Sequence, residues 1–389
     1  ESQTIACVYA FAGATNFTRR TDKRTPSMLT RSPAARLVPR PRSGGASRLM
    51  CSAATGVASL VVSVLKPLGA GYAITCAVAF LAQRKLQYFP STERPAPPAS
   101  LGRVFADVQE VEFVAEDGTR CLGWHWPAPP ADASPQPPWW LRDGASKQRL
   151  LGAMSEVRRR SPLSNVDVLM FHGNAGDRSH RLGWMHLVRE GLGCSVTILD
   201  YRGYGGSEGS PTEQGFLQDG AAAAAWLRQR QQAAGGGNGA GPPRRLVLWG
   251  ESIGSGVAVA IAPDAAVAPD AVVIEGGFSS AVDLGVAAYP WIPVRLFMWD
   301  KFESERRAAR LPATLPVLMV HGAQDAIAPI ALGRRLFDAL PARGRRFVEF
   351  AEAGHNDLPY HDSAAYLRAV GDFLSECNAG DDGAAEAAK

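Results

Sequence analysis

The sequence predicts an α/β fold in which a mainly parallel sheet is covered by helices on both faces. Short apolar runs of strand length recur along the chain, and helical stretches lie between most of them. This alternation gives parallel strands with helices packed on both sides of the sheet. Functional residues in such sheets gather where the strands end. The predicted strands end at Phe171, Asp200, Gly250, Glu275, Val320 and Phe350.

The composition is that of a folded protein with little net charge. Hydrophobic residues make up 46% of the 389 residues and charged residues 20%, which excludes wholesale disorder, collagen and a multi-span membrane protein. The formal net charge is +4, but nine basic residues lie between Arg19 and Arg48, so the rest of the chain is slightly acidic. Nucleic-acid binding by the folded part is not expected, because phosphate contacts need clustered Lys and Arg.

The N-terminal region predicts targeting and anchoring. Residues 1–49 are basic and poor in acids, which is typical of either an organelle transit peptide or a disordered basic tail. Residues 50–83 are apolar, with Lys66 as their only charge, and predict one transmembrane anchor. An interfacial or re-entrant segment is the alternative, because Lys66 and Pro67 shorten the uninterrupted run. Basic residues flank both ends, so the orientation and the compartment stay open, whether endomembrane, plastid or mitochondrion.

Residues 84–377 are predicted to form the α/β domain. It begins with a hairpin made of residues 108–114 and 119–126. Residues 127–165 are Pro-rich and are interpreted as a long surface insertion without the periodicity of a regular element. The chain is expected to end in a disordered tail, residues 378–389.

Two further elements of this domain can be placed from the sequence. The clearest helix signal is Ser210-Pro211-Thr212-Glu213, in which Ser210 is the predicted cap and Glu213 completes a capping box. Residues 278–312 lie between two predicted strands, and the family resemblance described below implies that they form a small cap over the carboxyl edge of the sheet. Their large apolar side chains either line an apolar substrate pocket or pack the cap on the core.

The cysteines give no sign of a disulfide framework or a metal site. All six are scattered along the chain, with no close pair and no partnering histidines. No metal ion and no cofactor is therefore expected.

The most specific motif is Gly250-Glu251-Ser252-Ile253-Gly254, which directly follows a predicted strand and precedes a helix of small residues. A G-x-S-x-G in this context predicts a sharp turn that presents the serine, with small residues letting strand and helix approach closely. Ser252 is therefore the candidate nucleophile.

A serine hydroxyl needs a base, and the base needs an acid to orient it. Asp325 and His355 follow the last two predicted strands, so both are expected at the same sheet edge as Ser252. Serine, acid, histidine is the chain order of α/β-hydrolases. Glu275, at another strand end, is the alternative acid. His172 and His321 each open a His-Gly turn and are expected to have structural roles.

Acyl transfer also needs donors for the developing oxyanion. The backbone N–H of Ile253, just after the nucleophile and at a helix start, is the first candidate. The second is Asn174, in the turn FHGNAG after the first buried parallel strand. The alternative for this turn is a purely structural use of its glycines.

Several motifs together resemble one family. The motifs are similar to those of membrane-anchored α/β-hydrolase-domain proteins of the depalmitoylase-like and serine-aminopeptidase-like branch. They are spread over about Leu68 to Glu376 and read FHGNAG, LDYRGYGGSEGSP, GESIG, HGAQD, AGHND and QRKLQYFPS. The resemblance implies an α/β-hydrolase fold and the triad Ser252, Asp325 and His355. Ser255, where many members have a second glycine, and the long 127–165 segment depart from the family pattern.

The function expected from these residues is hydrolysis of a carboxylic ester or thioester through an acyl-enzyme. A membrane anchor favours a lipid or an acylated molecule as the substrate. A peptide bond is the enzymatic alternative, since the same triad cleaves both. The alternative of another class is an inactive hydrolase fold that acts as a scaffold at a membrane.

Overall fold

The computed structural model describes residues 46–160, 163–235, 243–341 and 343–386. The chain divides into two compact units, Glu1–Pro67 and Leu68–Lys389. The first unit is described from residue 46 onward and is helical there, and the second contains the sheet. Most of the predicted basic segment, residues 1–45, lies outside the described residues.

The elements follow the predicted alternation. The strands are Phe89–Pro90 (β1), Gln109–Val114 (β2), Arg120–Trp126 (β3), Val166–Phe171 (β4), Ala175–Gly176 (β5), Ser195–Leu199 (β6), Arg245–Glu251 (β7), Ala271–Glu275 (β8), Val317–Gly322 (β9) and Arg345–Phe350 (β10). The α-helices are Ala46–Gln87 (α1), Gly144–Arg160 (α2), Leu182–Leu192 (α3), Glu213–Gly235 (α4), Ile253–Ile261 (α5), Ala281–Ala288 (α6), Val294–Phe297 (α7), Ser304–Ala308 (α8), Ile330–Ala339 (α9), Leu358–His361 (α10) and Ser363–Glu386 (α11). Short 3-10 helices span Pro98–Leu101, Arg103–Phe105 and Arg178–Arg181.

Within the described residues, eight strands form one sheet in the order β10-β9-β8-β7-β4-β6-β3-β2. The hairpin β2-β3 is antiparallel and pairs antiparallel with β6, and the remaining pairs are parallel. The predicted mainly parallel sheet is therefore confirmed. β1 and β5 form a separate two-stranded parallel pair.

Helices cover both faces of this sheet. One hydrophobic cluster joins α2, α3 and α11 to one face, through buried residues that include Met154, Leu187 and Leu367. A second cluster joins α4 and α5 to the other face, through buried residues that include Phe216 and Val257. β4, in which Asp167 is the one polar residue, is buried along its whole length, which is why it lacks polar alternation.

The expectation that residues 127–165 lack a regular element was wrong. Helix α2 occupies residues 144–160 and packs against α11 and α3. Its buried residues, Leu150, Ala153, Met154 and Val157, recur at helical spacing. The period was present in the sequence, but the Pro-rich stretch before it and the many arginines around it obscured the pattern.

The predicted capping box at Ser210 was also wrong, although the helix is present. α4 begins at Glu213, and the hydroxyl of Thr212 accepts from the backbone N–H of Gly215 at 2.9 Å. The carboxylate of Glu213 turns to the backbone N–H of Lys301, at 2.7 Å, and to Arg307. The Glu213 side chain, which a capping box would need, is therefore engaged in tertiary contacts with the cap.

Most of the predicted disordered tail is helical. α11 continues to Glu386, past the expected boundary at residue 378, and residues 387–389 lie outside the described residues.

The predicted cap and anchor segments are both helical. The short helices α6, α7 and α8 occupy the cap region, residues 278–312. In α1, Ser63–Gln87 is a stretch of 25 residues that contains an 18-residue window of mean hydropathy 1.6, and it is long and apolar enough to cross a membrane. Pro67 lies inside α1 and does not end it.

Candidate active site

Ser252 is the single residue between β7 and α5. β7 ends at Glu251 and α5 begins at Ile253, so the chain turns sharply at Ser252. Its φ of 53° and ψ of −117° are strained values for a residue with a side chain. This is the geometry of a nucleophile elbow, which presents the hydroxyl at the carboxyl edge of the sheet.

The two glycines of the motif make the turn possible. A Cβ on Gly250 would collide with the backbone of Ser255, and a Cβ on Gly254 would collide with the carbonyl of Phe171. Ser255, the departure from the family pattern, fits here because its hydroxyl donates to the carbonyl oxygen of Ser252 at 2.5 Å.

His355 lies between Ser252 and Asp325. Its Nδ1 is 2.6 Å from Asp325 Oδ2, and its Nε2 is 2.9 Å from Ser252 Oγ. Because an ionised carboxylate only accepts hydrogen bonds, Nδ1 donates to Asp325 and Nε2 is free to accept from the serine hydroxyl. The structure therefore brings together three residues that come from three separate strand ends.

Asp325 is fixed by its own turn. Its Oδ1 accepts from the backbone N–H groups of Ile327, at 2.9 Å, and Ala328, at 2.7 Å, and the side chain is buried. His321 supports the same turn, with Nε2 2.9 Å from the carbonyl oxygen of Ala328. His172 is buried with Nδ1 2.7 Å from the carbonyl oxygen of Gly173. A structural role for His172 and His321 stays a prediction.

Glu275, the alternative to Asp325 as the acid, bonds to other side chains. Its Oε2 accepts from the hydroxyl of Tyr366 at 2.8 Å and from the indole of Trp249 at 3.2 Å. Burial raises the pKa of Glu275 to about 7, and the nearby charge of Glu251 adds to the effect. The contacts of His355 thus favour Asp325 as the orienting acid.

Both candidate oxyanion donors lie at the pocket that holds Ser252. Ile253 begins α5, where the first N–H groups of a helix have no partner inside the helix. Asn174 lines the same pocket, and its side-chain amide donates to the carbonyl oxygen of Gln87. The hydroxyl of Tyr204 donates to the carbonyl oxygen of Asn174 at 2.9 Å. The turn is thus held from two sides, and its role as an oxyanion donor stays a prediction.

Sequence reasoning missed an ion pair that joins the two candidate oxyanion loops. Arg181 binds both carboxylate oxygens of Glu251, at 3.0 and 2.7 Å, and also donates to the carbonyl oxygen of Ala175 at 2.9 Å. Burial alone would raise the pKa of Glu251, but the charge and hydrogen bonds of Arg181, together with the nearby His172 and His355, lower that pKa. The guanidinium therefore connects Glu251, the residue before Ser252, to the turn that contains Asn174.

Two pockets meet at the triad. An apolar pocket of about 310 Å³ has Ser252, Ile253 and Asn174 on its wall, together with residues of the cap and of α1. A polar pocket contains the side chain of His355. Its other lining residues are His180, Arg181, Trp184, Glu251, Glu275, Asn356, Pro359 and Tyr360. The arrangement can attack a carbonyl that has an apolar group on one side and a polar group on the other.

The comparisons with known proteins define the class. The family described as alpha/beta hydrolase fold matches residues 168–311. An uncharacterised protein of Mycobacterium tuberculosis is 35% identical over 294 residues, which are 76% of this chain and 88% of that protein. The chain belongs to the α/β-hydrolase fold family, as the motifs predicted.

Other relatives and a solved structure agree with this class. The lysophosphatidylserine lipase ABHD12 of Danio rerio is 29% identical over 236 residues, covering 54% of this chain and 58% of that protein. An esterase structure from Pyrococcus furiosus aligns with a TM-score of 0.51 and 17% identity over 74% of this chain and 98% of the esterase. At that identity the structure supports the fold alone.

Proposed function

We propose that the protein is a membrane-anchored serine hydrolase that cleaves the ester or thioester bond of an acyl group. The observation that carries this proposal is the hydrogen-bonded series Ser252, His355 and Asp325 at the wall of an apolar pocket. α1 would provide the anchor, because Ser63–Gln87 is long and apolar enough to span a bilayer. The name of the ABHD12 relative, a lysophosphatidylserine lipase, supports a lipid substrate.

The proposed reaction begins at Ser252. Its Oγ attacks the carbonyl carbon while His355 Nε2 takes the hydroxyl proton, and Asp325 stabilises the imidazolium that forms. The backbone N–H groups of Ile253 and Asn174 donate to the oxygen that becomes negative. His355 then gives its proton to the departing alcohol or thiol, which leaves an acyl group on Ser252.

The second half of the reaction releases the acyl group. A water molecule attacks the acyl-enzyme while His355 takes its proton, and the carboxylic acid leaves as Ser252 recovers its hydrogen. An ester or thioester is favoured over a peptide bond because the pocket beside Ser252 is apolar and long, as a fatty acyl chain requires.

A fluorophosphonate probe tests the assignment of the nucleophile. The full chain in detergent micelles should be labelled, and Ser252→Ala should lose all labelling because the probe reacts only with an activated serine. Ser375→Ala, a serine in α11 whose hydroxyl bonds to the carbonyl oxygen of Gly371, is the control and should label normally. Equal labelling of wild type and Ser252→Ala would refute the proposal.

Turnover then separates the bond classes. Acyl esters, acyl thioesters and aminoacyl amides that carry the same reporter group should be compared with the wild-type enzyme. Faster turnover of the esters or thioesters is expected. Labelling of Ser252 together with turnover of amides alone would assign the protein as a peptidase instead.

A further inference from the structure

One face of the carboxyl-terminal part of α1 forms a wall of the apolar pocket. The residues of α1 on this wall are Cys76, Ala79, Phe80, Gln83, Leu86 and Gln87. Their spacing of three and four residues places them along one side of the helix. Ala77, Val78 and Leu81 lie between them in sequence and are exposed. The pocket is therefore lined by a continuous stripe of the helix.

The cap forms the facing wall. Its lining residues come from α6, from α7, from the segment between them and from Met298 just after α7, and they include Leu284, Ala288, Tyr289, Ile292 and Phe297. Ser252 and Ile253 line the pocket from the carboxyl edge of the sheet. From Gln87, which contacts Asn174, to Cys76 the stripe extends about 16 Å along the helix axis.

Directed contacts fix the distance between α1 and the cap. The side-chain amide of Gln83 donates to the carbonyl oxygen of Phe297 at 3.2 Å and accepts from the backbone N–H of Trp299 at 2.8 Å. The ring of Phe80 packs edge-on against the rings of Phe297 and Trp299. Arg84 forms an ion pair with Asp300 at 2.9 Å. These contacts hold α1 and the cap at a defined separation, so the gap between them is part of the folded structure of this unit.

Apolar side chains also cover the outer surface of the same region. Leu81 is 77% exposed on α1, and Leu296 is 80% exposed on the cap. Trp291 and Trp299 are exposed beside them, and Arg84 lies over the ring of Trp299. Exposed tryptophans next to a basic residue at the end of an apolar helix are typical of the boundary between hydrocarbon and headgroups.

We propose that α1 is part of the substrate site as well as the anchor, and that the substrate is a long-chain acyl ester or thioester. This inference rests on the proposed function. The acyl chain enters the gap between α1 and the cap from the hydrocarbon phase and lies along the stripe from Gln87 to Cys76, which brings its carbonyl carbon to Ser252. The chain moves from one apolar environment into another, whereas passage through water would cost free energy for every methylene group.

Two matched substitutions test this arrangement. Ala79→Phe places a ring in the pocket, and Ala77→Phe places the same ring on the exposed side of α1, two residues away. The full chain in lipid–detergent micelles is given butanoyl and palmitoyl thioesters. Ala79→Phe should lower kcat/KM for the palmitoyl substrate by about tenfold or more and leave the butanoyl substrate within about twofold. Ala77→Phe should change neither substrate.

Cys76→Phe adds a length measurement. Cys76 lies at the far end of the stripe, so its replacement should lower turnover of the palmitoyl thioester and spare an octanoyl one. Equal losses for all chain lengths, or the same behaviour of Ala79→Phe and Ala77→Phe, would overturn the inference. Such a result with Ser252 still labelled by the fluorophosphonate would leave the proposed function intact, and loss of labelling in the wild type would refute that function itself.

Discussion

The apolar and polar pockets that meet at the triad are built from different parts of the molecule. The apolar pocket lies between the cap and α1, whose outer side chains are exposed. The polar pocket is lined by two strand ends, by the loop after β10 and by residues of the 3-10 helix Arg178–Arg181, α3 and α10, and its charged side chains are paired or hydrogen-bonded. Under the proposed function, this contrast means that selection of the acyl group and support of the catalytic groups depend on different parts of the structure. Changes on the polar side should therefore act on all acyl lengths alike.

Among substitutions that act on all acyl lengths alike, Asp325→Asn should have the largest effect on activity. The amide cannot hold the His355 tautomer whose Nε2 accepts the serine proton, so kcat should fall by about 10⁴-fold for butanoyl and palmitoyl substrates equally. Steady-state kinetics on both substrates provide the measurement, and Asp338→Asn, at an exposed position of α9, is the control. Activity above a tenth of wild type would contradict the role of Asp325.

Glu275→Gln should change how stability depends on pH. The pKa of Glu275 is raised from 4.5 to about 7, so the folded protein keeps this proton to a higher pH than the unfolded chain does. Stability should therefore fall as the pH rises from about 4.5 to about 7, by up to about 3 kcal/mol from this group.

Glutamine keeps an oxygen acceptor for Tyr366 and Trp249 but does not ionise, so this part of the decline should disappear in Glu275→Gln. Thermal unfolding midpoints of the detergent-solubilised chain between pH 5 and pH 8 provide the measurement. Glu352→Gln, at a position 85% exposed in its side chain, is the control and should follow the wild type. Parallel pH profiles of Glu275→Gln and wild type would show that the buried carboxyl does not titrate in this range.

Arg181→Met should have the smallest effect of the three. It leaves the carboxylate of Glu251 without its partner, and because the pair is 15% and 20% exposed the loss of stability should be about 2 kcal/mol, below that of a fully buried pair. The turn with Asn174 also loses a contact, so kcat should fall by a larger factor than KM changes. The factor by which kcat falls should be the same for all acyl lengths.

The double variant Arg181→Met/Glu251→Gln should recover most of the stability, since no charge is then left unpaired. Arg334→Met removes one partner of a more exposed pair with Glu349 and should cost less than about 1 kcal/mol. A shift of the acyl-length preference in Arg181→Met would show that the polar and apolar pockets do not act independently on the substrate.

The parts of the fold that the sequence predicts best are those set by local pattern. The parallel strands are read from apolar runs, and Ser252, Asp325 and His355 are found because each follows such a run. The helix α2 and the capping residue Thr212 were missed for different reasons. The apolar period of α2 is diluted by arginines, and the choice between Ser210 and Thr212 depends on Glu213 contacting Lys301 and Arg307.

The contacts that complete the candidate site cannot be predicted from local sequence patterns. Arg181 and Glu251 are 70 residues apart, and Gln83 and Trp299 are 216 apart. A single glutamine in an apolar helix gives no indication that its amide binds the backbone of a cap. Such pairs depend on the tertiary fold, which brings distant chain segments together.

The short pair β1-β5 connects α1 to the turn that contains Asn174. Only Tyr88 lies between the end of α1 and Phe89, and Phe89 and Pro90 pair with Ala175 and Gly176, next to Asn174. Under the proposed function, in which α1 is the anchor, this short connection would hold Ser252 at a constant depth relative to the bilayer surface. The enzyme would then favour acyl groups whose carbonyl lies at the level of the headgroups over bonds that project far into water.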